Sequence, residues 1–180
     1  MESVRKIREY TIEDIYALPE GQRAELIDGS IYMMAPPKTQ HQRLVQFLSK
    51  TIGNYIDEKG GCEVFPAPFA VFLHADDKLY VEPDISVICD KSKLNENGCK
   101  GAPDWLIEIV SPSSASHDYL RKLKLYMDSG VREYWIVDQA KNRIMVYRFE
   151  EDLVEEYTFL DKVRVGIYQD LEIDFSKIKE

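Results

Sequence analysis

The spacing of apolar residues changes period several times along the chain, and each change predicts an element. Thr11 followed by Asp14 has the form of an N-cap with an acid at N3, which predicts a short helix through Ile12, Ile15 and Leu18 that Pro19 and Gly21 end. The apolar-rich runs AELI and SIYMM flank Asp28-Gly29, the two-residue signal for a type I′ hairpin, and Pro36 and Pro37 stop the second run. From about Thr39 to Lys59, residues Leu44, Phe47, Leu48, Ile52, Tyr55 and Ile56 recur at helical spacing. This predicts the longest helix, closed by Gly60-Gly61.

Beyond that helix the period shortens to that of strands. CEVFPAPFAVFLH reads as a strand pair or one bent strand interrupted by Pro66 and Pro68, and Asp76-Asp77 turns the chain toward a strand at YVEPDISVI. DKSKLNENGCKGAP predicts a polar loop, followed by a strand over Asp104–Val110 that Pro112 ends. A helix is predicted over Ser116–Asp128, with Gly130 as its C-cap and Leu120, Leu123 and Met127 as its core-facing stripe. EYWIVD, RIMVYRF, VEEYTFL and KVRVGIY complete the strands, and Trp105, Tyr134 and Trp135 are expected in the core. The sum is a mixed α+β fold, read as one domain spanning residues 1–180 without repeats, low-complexity tracts or an internal linker.

Composition narrows the function classes. With 44% hydrophobic residues the chain can bury a sizeable core. No apolar run approaches the roughly 18 residues a membrane span needs, and no leader-like apolar stretch follows Met1, so the expected compartment is cytoplasmic. Cys62, Cys89 and Cys99 are odd in number and stand at no metal-ligand spacing, which argues against both a disulfide framework and a zinc site. A formal net charge of −9 argues against a broad basic surface for nucleic acid, although a local basic groove can coexist with acidic metal ligands.

Two acids interrupt apolar runs: Asp84 in YVEPDISVI and Glu108 in WLIEIV. Burying an unpaired carboxylate costs several kcal/mol, roughly, so each requires a partner. On neighbouring strands the two would repel, and a hard divalent cation held by oxygen ligands is the economical resolution. In the following helix, at about 100° per residue, Lys122 shares a flank with Asp118 and Tyr126, while Lys124 lies roughly 160° away. Only one of the two lysines can therefore approach the carboxylates. Ser111, Ser113, Ser114, Ser116 and His117 do not form a serine-hydrolase motif, since no Gly-x-Ser-x-Gly elbow accompanies them.

Pro83-Asp84 followed by Glu108-Ile109-Val110 resembles the PD-(D/E)XK nuclease superfamily, with Val110 standing where its lysine usually lies. Most of the chain resembles one branch, the Uma-two family of restriction-endonuclease-like proteins. ELIDGSIYMMAPP, His41, VEPDISVI, WLIEIVSPSS, DYLRKLKLY and GVREYWIVD fall in that family's order and spacing. The resemblance implies a restriction-endonuclease-like mixed sheet flanked by helices. It selects Asp84, Glu108 and Lys122 as catalytic residues, the lysine having moved into Asp118-x-x-x-Lys122, with Glu25, His41 and Asp118 in supporting positions. It further implies Mg²⁺ or Mn²⁺ held by Asp84, Glu108 and the Ile109 carbonyl, and a nucleic-acid substrate, DNA. Two other classes stay open: a catalytically inactive nuclease-fold module that binds nucleic acid or regulates, and an interaction domain whose aromatic strand surface forms a homodimer.

Overall fold

A computed structural model describes residues 8–74, 78–110 and 116–178, with the side chains of residues 116–119 outside that description. Helix α1 (Ile12–Tyr16) begins where predicted, the Asp14 carboxylate accepting the Thr11 N–H at 3.0 Å. Strands β1 (Ala24–Ile27) and β2 (Ser30–Met33) form the expected hairpin. Asp28 and Gly29 both take positive φ, 49° and 70°, as a type I′ turn requires. Helix α2 (Thr39–Lys59) then buries Leu44, Leu48, Ile52 and Ile56 along one stripe. It leads into β3 (Glu63–Pro66), β4 (Val71–Phe72), β5 (Ile85–Ile88), β6 (Leu94–Asn95), β7 (Gly98–Lys100) and β8 (Trp105–Val110). Helix α3 (Ser116–Ser129) precedes β9 (Glu133–Asp138), β10 (Arg143–Arg148), β11 (Leu153–Tyr157), β12 (Lys162–Arg164) and β13 (Glu172–Asp174). The fold is α+β, as expected.

Six strands form the central mixed sheet in the order β11-β10-β9-β8-β5-β3, with β8 and β9 parallel and the other pairs antiparallel. Side chains alternate between its faces. Trp105, Ile107 and Ile109 of β8 pack with the buried stripe of α2, whereas Leu106 lies in a second cluster with Ile27 of the hairpin and Tyr126 of α3. Both faces are thus covered, and every residue of β9 is buried. That is why EYWIVD reads as an almost continuous apolar run. Among the described residues, no helix is long and apolar enough to cross a membrane.

Several expectations change. The loop predicted over DKSKLNENGCKGAP contains the β6–β7 hairpin, which joins β4 in a three-stranded sheet. Its turn is closed by the Asn97 N–H donating to the Asn95 side chain at 2.8 Å, local Asx chemistry hidden in a polar stretch. Only Ile85–Ile88 of YVEPDISVI joins the main sheet, because Pro83 has no N–H to offer a ladder; Tyr80 and Val81 bridge instead to Leu26 and Val71. KVRVGIY contributes β12, which pairs with β13, too short to be read as a strand in advance.

The stripe expected to face the core from α3 is also corrected. Leu120 and Met127 are exposed, while Lys122 and Tyr126 are buried. Leu123 does pack against the second core cluster, so α3 is seated by Leu123 and Tyr126 together with the carboxylate partners of Lys122. Finally, Cys62 and Cys89 form a disulfide, against expectation. Glu63 pairs with Ile88 across β3 and β5, so one step outward these two cysteines stand opposite each other. Cys99 is free and buried. Thiol titration of the unfolded, unreduced protein should therefore release one equivalent, rising to three after reduction; three from the outset would remove the Cys62–Cys89 bridge.

Candidate functional site

The site forms where the β5–β8 ladder ends. Ile85 pairs with Ile107 in antiparallel register, which places Asp84 opposite Glu108 at the next step and on the same face of the sheet. There the Asp84 side chain takes over from the backbone: Oδ2 accepts the Ile109 N–H at 2.7 Å. Oδ1 lies 3.1 Å from Nε2 of His41, which the first turn of α2 carries to the end of the sheet. Burial works against a charge on His41, yet its hydrogen bond and charge interaction with Asp84, together with Gln42 and Glu108, raise its pKa above the ordinary histidine value.

Glu108 faces α3 and β1. Its side chain is 12% exposed, and Oε1 accepts hydrogen bonds from Lys122 Nζ and Tyr126 OH, each at 2.9 Å. Lys122 and Tyr126 are four residues apart, so one helical face delivers both donors to one oxygen. Lys122 Nζ also lies 2.8 Å from Glu25 Oε2 and 2.9 Å from Oε1. Glu25 comes from β1, whose four residues are all buried, and its Oε1 accepts the Glu82 N–H at 3.1 Å. Glu82 is in turn held by Arg23 Nε at 2.7 Å and Tyr80 OH at 2.5 Å.

The charges do not balance. One ammonium serves Glu25 and Glu108, with Asp84 nearby. Burial pushes the Glu108 carboxyl up against the pull of Lys122, and the Asp84 and Glu25 charges push it further, to about 7. Burial opposes the charge on Lys122, but Glu108 and Glu25 outweigh it and hold the ammonium protonated. Among the described residues, no three His, Cys, Asp or Glu side chains converge as a ready cation cage. What the site offers instead is two facing carboxylates beside a strand backbone, with more negative charge than Lys122 neutralises.

Of the residues singled out in the sequence, Glu25, His41, Asp84, Glu108 and Lys122 are brought together. Ile109 meets Asp84 through its N–H. Asp118 belongs to α3, but its side chain lies outside the described residues, as do Ser111, Ser113 and Ser114. Lys124 is exposed and pairs with Asp128 on the far side of α3, as the helix geometry required. Tyr126 and Glu82 were not foreseen. Tyr126 could have been read from its four-residue spacing to Lys122, and Glu82 from its place two residues before Asp84.

Comparison with known proteins shows the family and the fold. The model of the Uma2 family, described as "Putative restriction endonuclease", matches residues 12–176. The uncharacterized protein slr1290 of Synechocystis is 26% identical over 148 residues, which span 80% of this chain and 77% of that protein. A crystal structure of "a putative nuclease belonging to DUF820" from Anabaena variabilis has the same fold, with a TM-score of 0.77 at 22% identity, covering 93% of this chain and 96% of that one.

Removing Lys122 leaves two buried carboxylates facing each other without their shared cation. Lys122→Met should therefore lower stability to urea by about 3 to 5 kcal/mol. Lys124→Met, on the solvent side, should leave the urea midpoint unchanged. Equal midpoints for parent and Lys122→Met would show that the ammonium does not hold the cluster.

Proposed function

Because the chain belongs to the Uma2 family, we propose that it is a metal-dependent endonuclease that hydrolyses phosphodiester bonds of DNA. The observation that carries this reading is the register that sets Asp84 opposite Glu108 while Lys122 binds Glu108 from the next helix. The donor set fits Mg²⁺ or Mn²⁺. Two carboxylates and a backbone carbonyl, completed by water, suit a hard cation that keeps part of its hydration shell, and neither sulfur nor a histidine pair competes for a softer metal. Asp84, Glu108 and the Ile109 carbonyl would hold the ion. Bound there, it would supply Lewis-acid charge and a lowered pKa for water.

The protein's own residues divide the remaining tasks. Lys122 and Tyr126 both occupy Glu108 Oε1, so Oε2 is the oxygen free of protein partners among the described residues. Lys122 also places a fixed positive charge beside the carboxylates, where charge would grow on a phosphate in the transition state. Glu25 anchors that ammonium from the opposite side, and His41 together with the Ile109 N–H fixes the orientation of Asp84. Lys122 thus fills from α3 the role left open by Val110 in the strand. This arrangement favours an active enzyme over an inactive module that keeps the fold.

Purified protein should nick DNA when Mg²⁺ or Mn²⁺ is supplied. Asp84→Asn and Glu108→Gln should each lower the rate by about a hundredfold or more, equivalent to about 2.7 kcal/mol of barrier. In thermal melts, a hundredfold excess of metal over its Kd should stabilise the parent by about 2.7 kcal/mol, and Asp84→Asn should lose most of that shift. Metal binding without cleavage would return the chain to the inactive-module reading; neither effect in the parent would remove the metal-site proposal.

A further inference from the structure

A chain with a formal charge of −9 repels a phosphate backbone unless cations gather where the substrate lies. Two acid-free segments bring cations toward one end of the sheet. Residues 38–54 include Lys38, Arg43 and Lys50 and contain no Asp or Glu. Residues 139–149 include Lys141, Arg143 and Arg148, again without an acid. The acids are concentrated elsewhere, at Asp57-Glu58 late in α2 and in the run from Glu150 to Glu156.

The fold joins the two cationic segments at the end of the sheet that carries the carboxylates. Val110 is paired with Asp138 in the parallel β8–β9 ladder, so the β9–β10 turn leaves the sheet beside Val110, two residues beyond Glu108. Gln139 Nε2 in that turn donates to Gln40 Oε1 in the first turn of α2 at 3.2 Å. The same turn of α2 reaches Asp84 through His41. Arg43 and Lys50 are exposed seven residues apart on α2, on one side of the helix and about 10 Å apart along its axis.

Their pairing also differs from that of three lysines outside this end of the molecule. Lys59, Lys91 and Lys124 are each held by a carboxylate, at Asp170, Glu63 and Asp128 respectively. Lys38, Arg43 and Lys50 have no ion-pair partner among the described residues. Lys141 has only a long approach of 3.6 Å to Asp138, a buried acid whose other oxygen accepts the Lys141 N–H. Its own side chain is 64% exposed.

We propose that duplex DNA docks on this end of the molecule, its phosphate backbone crossing α2 from its N-cap Lys38 to Lys50 and the β9–β10 turn, where Lys38, Arg43, Lys50 and Lys141 neutralise it. The inference rests on the nuclease reading and adds the path of its substrate. A helix and a tight turn, tied by Gln40 and Gln139, hold these charges in preset positions, which suits the regular phosphate row of a duplex better than a flexible single strand. The acidic stretch beginning at Glu150 repels the backbone and keeps it on this face.

The test compares two charge-matched double variants by fluorescence anisotropy on a short labelled DNA duplex, with Ca²⁺ as the divalent ion. Arg43→Glu with Lys141→Glu should weaken binding at least tenfold and flatten the dependence of log affinity on log salt by about two, near 0.9 for each phosphate no longer neutralised. Lys59→Glu with Lys91→Glu changes the net charge equally at the other end of α2 and of β5, and should change affinity less than threefold. Equal losses in the two doubles, or none in the first, overturn the docking face. A same-sequence RNA duplex bound more tightly than the DNA overturns the choice of DNA. Should the first double fail to fold in a thermal melt, Arg43→Ala and Lys141→Ala made singly should each lower the slope by about one, and unchanged slopes overturn the proposal. A parent that cleaves DNA while both doubles bind alike loses the docking face alone, whereas a parent that neither binds nor cleaves loses the nuclease reading with it.

Discussion

A single ammonium shared by the buried Glu25 and the largely buried Glu108 sets the arrangement of everything near it. Lys122 holds Glu25 from β1 and Glu108 from β8, and so ties the hairpin, the central sheet and α3 at one point. A buried ion pair of this kind is weak evidence for net stability, because desolvation offsets much of the attraction. Its effect here is on orientation. To reach the two acids, α3 turns Lys122 and Tyr126 inward and leaves Leu120 and Met127 in solvent. A polar cluster has displaced two of the three stripe residues, and Leu123 stays against the core.

The order of supports around it follows from the same constraint. Each carboxylate in the cluster is fixed by a group on another element: Glu25 by the Glu82 N–H, Glu82 by Arg23 and Tyr80, Asp84 by the Ile109 N–H and His41. Tyr126 is itself packed edge-on against Tyr134 of β9, with ring centroids 4.9 Å apart. Such supports lock the side chains before any ligand arrives, which is what a site working by positioning and charge requires. The remaining negative charge is concentrated where Asp84 and Glu108 face each other.

Much of this was legible in the chain, and the reasons differ by residue. Asp84 and Glu108 stood out because an acid inside an apolar run demands a partner, and their strands proved adjacent. Helix geometry separated Lys122 from Lys124 correctly. It could not say that Lys122 would be buried, since amphipathic reading counts leucines and cannot weigh the pull of carboxylates in strands not yet placed. The flank that Tyr126 shares with Lys122 was legible, but its hydroxyl's task was not, because a tyrosine at core spacing looks the same with or without one. The Cys62–Cys89 bridge depends on the β3–β5 register, which no spacing along the chain reveals. The β6–β7 hairpin and β13 are too short to carry a period.

Lys122 and Glu25 meet across 97 residues of sequence. Pairings so distant pay loop-closure entropy before they return any attraction, and they form after local elements are in place. A chain emerging during synthesis displays Glu25 long before α3 exists to supply the ammonium, whereas Glu108 precedes Lys122 by only 14 residues. The cluster is therefore complete only once the hairpin, β8 and α3 have come together. On the proposed reading, a growing or partly unfolded chain in which Glu25, Glu108 and Lys122 have not met would not cut.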